Sequence, residues 1–149
     1  MSRGYSAVGL FHPKFKVNVG TALRVCGNYQ CAFLATEGQR FRGKSFHGDT
    51  MKQSRHLPFF QVDNLHAIIP HSCVPVAVEI QEGAQSLINY SHPERAFYIF
   101  GPEDGSLGKA VYSYCRDIIY VPTVECMNLA VTIAVVLYDR LLKGAKKCQ

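Results

Sequence analysis

Two segments of this chain have no polar face. "VPVAVEI" at residues 74–80 is apolar except for Glu79, and "AFYIF" at residues 96–100 is apolar throughout. A strand with one face in water alternates apolar and polar residues, whereas a strand covered on both faces does not need to. Such runs belong to parallel sheets, and parallel strands require crossover connections, usually helices. The rest of the chain supplies them. Tyr5 to Phe11 is an expected strand, and Asn18 an expected N-cap for a helix running to about Tyr29, with Val19, Ala22, Leu23 and Cys26 on one face. Cys31 to Thr36 and "LPFFQV" are further strands. "DNLHAIIP" is a short helix capped by Asp63 and stopped by Pro70. "EGAQSLINYSHPER" is a loop. Lys109 to Cys115 is a short helix, Asp117 to Val121 the last strand, and Met127 to Lys143 a long closing helix stopped by Gly144. The expectation is an α/β fold, with a mainly parallel sheet and helices on both faces, over a single domain spanning 1–149.

Ligands of such folds sit beyond the carboxyl ends of the strands. Three loops fall there: 12–18, 101–108 and 122–127. The second has the sequence "GPEDGSLG" and follows a strand, which raises the question of a phosphate loop. The pattern G-x-x-x-x-G-K-[ST] needs glycine where Glu103 stands and a hydroxyl where Ala110 stands. Two carboxylates, Glu103 and Asp104, also repel a triphosphate. The loop therefore suits a neutral or cationic ligand.

Charge separates along the chain. Residues 1–56 hold nine Lys and Arg against two acids, a net +7, whereas the remainder is net −2. A basic first part points to a polyanionic partner, although a solvated surface has the same composition. The six cysteines form no C-x-x-C pair, which reads as reduced thiols without a disulfide framework or a metal site. His12, His47, His56 and His71 show no paired spacing either. The start "MSRGYSAVGLF" has too short an apolar run for a signal peptide. Polar residues interrupt the closing helix, so no membrane span is expected, and the expected location is the cytoplasm.

Three segments, in this order, carry a resemblance. "PKFKVNVGTALRVCGNYQC" contains N-x-G-x-x-x-R as Asn18, Gly20 and Arg24. "YIFGPEDGSLGKAV" is a strand followed by G-x-E, with Gly101, Glu103 and Leu107. "IIYVPTVECMNLAVTIAVVLYDRL" is a strand, a proline loop and an [LM]-N pair before an apolar helix, with Pro122, Cys126, Met127 and Asn128. Together they resemble the SpoU/TrmH branch of the SPOUT RNA methyltransferases over nearly the whole chain.

The resemblance implies a C-terminal deep trefoil knot, S-adenosylmethionine as cofactor, RNA as substrate and a homodimer with its sites at the subunit interface. It implies that Arg24, Asn18, Glu103 and Asn128 carry the chemistry of methylating a ribose 2′-OH. It also implies that Val78, Gly101, Glu103, Leu107, Val121, Cys126 and Met127 border the cofactor. Similarity to minimal one-domain members points to tRNA, at the wobble ribose. Two positions depart from the family pattern. Cys126 stands where serine is usual, and Ser106 where glycine is common, so the turn is open to a shift by one onto Gly105.

Taken singly, these residues have simpler explanations. Asn18 fits a helix cap, Glu103 a surface acid, and Asn128 a polar residue at a helix start. Arg24 lies on a largely apolar helix, where burying a guanidinium without purpose is costly. For RNA contact the candidates are Lys14 and Lys16 in "HPKFKV" and Arg40, Arg42 and Lys44 in "RFRGKSF", where cations interleave with aromatics. A non-catalytic RNA-binding or cofactor-sensing knotted dimer is the alternative to an enzyme.

Overall fold

The computed structural model describes residues 4–38, 40 and 56–147. Tyr5–Phe11 forms β1 and Lys16–Asn28 forms α1. Leu34–Glu37 is β2, Phe59–Val62 β3, and Leu65–Ile68 a 3-10 turn. Val74–Val78 is β4, Gln85–Ser86 β5, and Leu87–Asn89 a second 3-10 turn. Arg95–Phe100 is β6, Lys109–Tyr114 α2, Asp117–Tyr120 β7, and Leu129–Lys147 α3.

The seven strands form one sheet in the order β3-β2-β1-β6-β4-β7-β5. Every neighbouring pair is parallel, with Val8 of β1 opposite Leu34 of β2 and Tyr98 of β6. The apolar runs have the predicted cause. Val8, Leu10, Val76, Val78, Tyr98 and Phe100 face one core layer, shared with Leu23 and Cys26 of α1 and Ile133 and Leu137 of α3. Ala7, Ala77, Phe97 and Ile99 face the other, beneath Leu65, Leu107 and Val111 of α2. Phe97 and Tyr98, adjacent in sequence and on opposite faces, are both fully buried. Gly9 has no room for a side chain, since a Cβ there would lie 2.7 Å from Phe97 Cζ.

The differences from expectation are local. Helix α1 begins at Lys16, before Asn18, because the Asn18 side chain is committed to distant partners and Phe15 holds the N-cap position. Strand β2 starts at Leu34, three residues later than expected. The chain first closes α1, with Gln30 left-handed (φ 55°) and the Cys31 amide donating to the Cys26 carbonyl at 2.9 Å. Residues 65–68 form a 3-10 turn capped by Asn64 and not by Asp63. Residues 81–94 contain β5 and a turn capped by Ser86, both too short to show a period. Helix α3 starts at Leu129 and runs through Gly144 to Lys147. An isolated glycine costs a helix only about 1 kcal/mol and does not end it.

A buried polar cluster fastens α3 to the amino ends of the strands. Arg140 donates to the carbonyls of Tyr5, Pro93 and Glu94 and to the Tyr98 hydroxyl. His92 Nδ1 lies 2.6 Å from the Tyr98 hydroxyl, and its Nε2 lies 2.8 Å from Asp139. Burial pushes the Tyr98 phenol up to about 12, so it keeps its proton beside the imidazole. The strand amino ends are thus locked, and their carboxyl ends carry the loops.

Candidate active site

Strands β4, β6 and β7 end side by side, and a cavity of about 430 Å³ opens beyond Val78, Phe100 and Tyr120. Its volume falls in the range of small-ligand sites. All three expected loops contribute to its lining. Phe15 and Asn18 come from the first, Gly101, Pro102, Glu103 and Gly105 from the second, and Thr123, Cys126 and Met127 from the third, with Val121 just before it.

A relay of hydrogen bonds joins these loops. Asn128 Nδ2 donates to Asn18 Oδ1 at 3.0 Å, and Asn18 Nδ2 donates to Glu103 Oε1 at 2.8 Å. Glu103 Oε2 accepts the Lys14 amide at 2.7 Å, and its Oε1 the Phe15 amide at 3.4 Å. Asn128 Oδ1 accepts the amides of Ala130 (2.9 Å) and Val131 (3.3 Å), capping α3. Glu103 is therefore a strut between the first and second loops and not an unengaged charge. Asn18 is only 7% exposed, and each of its two polar atoms has one partner in the relay.

A second acid, which local sequence reasoning misses, organises the second loop. Glu79 follows β4 and lines the cavity. Its carboxylate accepts the Leu107 amide at 3.2 Å, the Ser106 hydroxyl at 3.1 Å and the Tyr112 hydroxyl. Burial and this acid raise the Tyr112 phenol, which keeps the proton it donates. Ser106 has a use in this turn as a donor. The left-handed residue of the loop is Gly108 (φ 82°). The one signal for Glu79 in the sequence is that it is the single acid in the otherwise apolar expected strand "VPVAVEI". At Gly101 a Cβ would lie 3.3 Å from Glu79 Oε1, so a larger residue there would press on this acid.

Other candidates fall elsewhere. Leu107 is 3% exposed and packs in the α2 core layer, away from the cavity lining. Arg24 is exposed on α1 and is not part of the lining, which corrects the premise that it is buried. Lys14 is exposed, with its ammonium 5.3 Å from the Phe15 ring centre and 3.9 Å from Asp104. Lys16 is the first residue of α1 and half-buried. Arg40 forms a forked contact with Asp104 at 3.3 and 3.4 Å, which holds that carboxyl below the usual range. Arg42 and Lys44 lie outside the described residues. Among the described residues no group of three or more His, Cys, Asp or Glu could hold a metal ion. No helix among them is long and apolar enough to cross a membrane.

A parallel sheet covered on both faces, with a loop-built cavity at its carboxyl edge, defines an α/β protein of the small-ligand-binding kind. The chain belongs to the SpoU rRNA Methylase family, which its residues 6–138 match. No curated protein matches it significantly. Among solved structures, the SpoU methyltransferase AviRb from Streptomyces viridochromogenes, in complex with AdoMet, superposes with a TM-score of 0.84 at 16% identity, covering 95% of this chain and 58% of that one. The A. aeolicus TrmH/SpoU tRNA modifying enzyme gives 0.84 at 15% identity, over 98% and 78%. A protein solved in connection with the 2-OH methylation of C/U34 on tRNA gives 0.82 at 19% identity, over 96% and 98%. The chain spans about three fifths of the two AviRb structures, 62% and 58% of their lengths.

Proposed function

We propose that the protein is an S-adenosylmethionine-dependent RNA ribose 2′-O-methyltransferase acting on tRNA, with the wobble nucleotide as its position. The observation that carries this reading is the relay Asn128–Asn18–Glu103, which ties three loops around one cavity. The resemblance to a tRNA-methylation protein of similar length supports the substrate class. In this reading residues 1–149 act as one methyltransferase domain in the cytoplasm, and the C-terminal part is knotted.

The cavity fits the cofactor. Val78, Ile80, Val121 and Met127 offer apolar walls for an adenine, and Gly101 leaves backbone within reach. Glu79 and Glu103 give the lining a negative potential suited to a sulfonium. When bound, S-adenosylmethionine supplies an electrophilic methyl group. The ribose oxygen must sit on the side of that methyl remote from sulfur and must lose its proton. A guanidinium is too weak a base for this task. Arg24 instead stabilises the developing alkoxide and grips the adjacent phosphate, while that phosphate or a water takes the proton.

Since Arg24 does not line the cavity of its own chain, it serves the cavity of a second copy. Exposed apolar residues on α1 and α3, including Val17, Val131, Tyr138 and Leu141, support a homodimer through this face. Cys126 at the cavity favours a second reading, a knotted dimer that binds cofactor and RNA without turnover, because a thiol donates weakly where the family has a hydroxyl. Calorimetry with S-adenosylhomocysteine, followed by transfer of labelled methyl to tRNA and rRNA, separates the two. Binding with transfer to tRNA is expected; binding without transfer to either RNA selects the second reading, and no binding at millimolar ligand rejects both.

A further inference from the structure

Phe15 is a large apolar side chain at a place where water reaches it. It is 49% exposed, and it lines the cavity beside Asn18 and Glu103. Its backbone is fixed on both sides. The Phe15 amide is held by Glu103, and the Phe15 carbonyl accepts the amides of Asn18 (3.1 Å) and Val19 (3.4 Å). The residue thus presents an aromatic face from a rigid support, at low entropic cost to any ligand that covers it. Lys14 sets its ammonium 5.3 Å from the ring centre, and Lys16 follows directly in sequence. Aromatic rings interleaved with cations suit a strand of alternating bases and phosphates.

We propose that Phe15 is a stacking platform for a base of the RNA substrate, at or beside the nucleotide whose ribose enters the cavity. The inference rests on the methyltransferase reading given above. Phe15 belongs to the first loop, whereas the apolar walls assigned to the adenine lie beyond β4 and β7. The Lys14 ammonium over the ring, which also lies 3.9 Å from Asp104, matches a phosphate backbone and opposes a sulfonium. A stacked base would be held by its π-face, so the contact tolerates any base and positions the ribose without reading sequence.

The chain contains no tryptophan, so Phe15→Trp installs a single indole reporter. Its emission is expected to be quenched by whichever of tRNA or rRNA accepts the methyl group, and unchanged by S-adenosylhomocysteine alone. Phe15→Ala is expected to raise KM for that RNA by roughly 5- to 100-fold, the usual cost of losing one stacked base, with the dissociation constant of S-adenosylhomocysteine within about twofold of wild type. Phe15→Tyr restores the RNA KM. Quenching by S-adenosylhomocysteine alone, or an unchanged RNA KM in Phe15→Ala, overturns the inference. If the wild-type protein methylates neither RNA, the proposed function fails. The stacking inference is then decided by whether unfractionated tRNA quenches the indole.

Discussion

Asn128 donates to Asn18 across 110 positions of sequence, at 3.0 Å. This bond joins the start of α3 to the first turn of α1, and Asn18 passes the connection on to Glu103. Asn18→Ala leaves the Asn128 amide and one Glu103 oxygen each short of a partner. Removing one member of a buried pair costs about 1–3 kcal/mol for each group left unsatisfied. Denaturant titration is expected to show a loss of that order, together with a slower methyl transfer. Asn18→Asp should be worse, because it sets a second carboxylate against Glu103. A wild-type midpoint in both variants would remove the relay from the account of the site.

Arg24→Ala should cut methyl transfer by roughly 100- to 1000-fold, as expected for loss of one charge-stabilising donor. Cofactor affinity should hardly change, since the contact operates mainly in the transition state. Arg24→Lys should rescue poorly, because an ammonium cannot reproduce the planar fork. Single-turnover rates beside calorimetry with S-adenosylhomocysteine make the comparison, and unchanged turnover would return Arg24 to a structural role.

Glu79→Ala untethers the Leu107 amide, Ser106 and Tyr112 together. Hydrogen bonds to a charged group are worth about 1.5–3 kcal/mol each, and the loop they hold borders the cavity. The expected result is a weakening of S-adenosylhomocysteine binding by roughly tenfold or more with the fold retained. Equal affinity in wild type and variant by calorimetry would show that the loop is held by other means.

The His92 imidazole has a pKa below its ordinary 6.5, first because it is buried, with Lys143 and Arg140 adding to the shift and Asp139 opposing it. The folded protein therefore binds fewer protons than the unfolded chain below about pH 6.5. Stability from this group is complete above that pH, and it declines as pH falls from there through the lower folded value. Asp104 and Asp117, both held below 3.8, add losses only at lower pH. His92→Gln should flatten the dependence of the unfolding midpoint between about pH 7.5 and 5. An identical slope in the variant would assign it elsewhere.

Light scattering at micromolar concentration should give a dimer, and Tyr138→Glu combined with Val131→Glu should give a folded monomer with little activity. If Arg24 serves the second copy, mixing Arg24→Ala with Glu79→Ala at limiting cofactor should give more activity than either variant alone, because one of the two sites in the mixed dimer is intact. Absence of recovery from a verified mixed dimer would place Arg24 in its own chain's site.

The long elements were legible because burial on both faces writes itself into composition. β1 occupies Tyr5–Phe11 as expected, the run at 96–100 lies in a strand, and the run at 74–80 forms its strand over Val74–Val78, two residues shorter because Glu79 turns to the second loop. The short ones were not. β5 has two residues and is held by pairing with β7, which no local pattern announces. Asn18 shows the same limit in the site. Local reasoning makes it a cap, since an asparagine before an apolar helix is usually one, whereas its partners lie 85 and 110 positions away. Glu79 escapes notice because an acid at a strand end has many ordinary explanations, and its three donors come from the second loop and α2, 27 to 33 positions later.

The strand order also governs how the chain must be made. β1 lies between β2 and β6, so it finds one of its two neighbouring strands only when Arg95–Phe100 exists. Until then one edge of β1 and its apolar faces have no cover from β6, and local helix formation cannot supply it. Chains dominated by such distant parallel pairings fold slowly and spend longest in aggregation-prone states. During synthesis β1 must wait until the chain has been made as far as Phe100 before its second edge can pair.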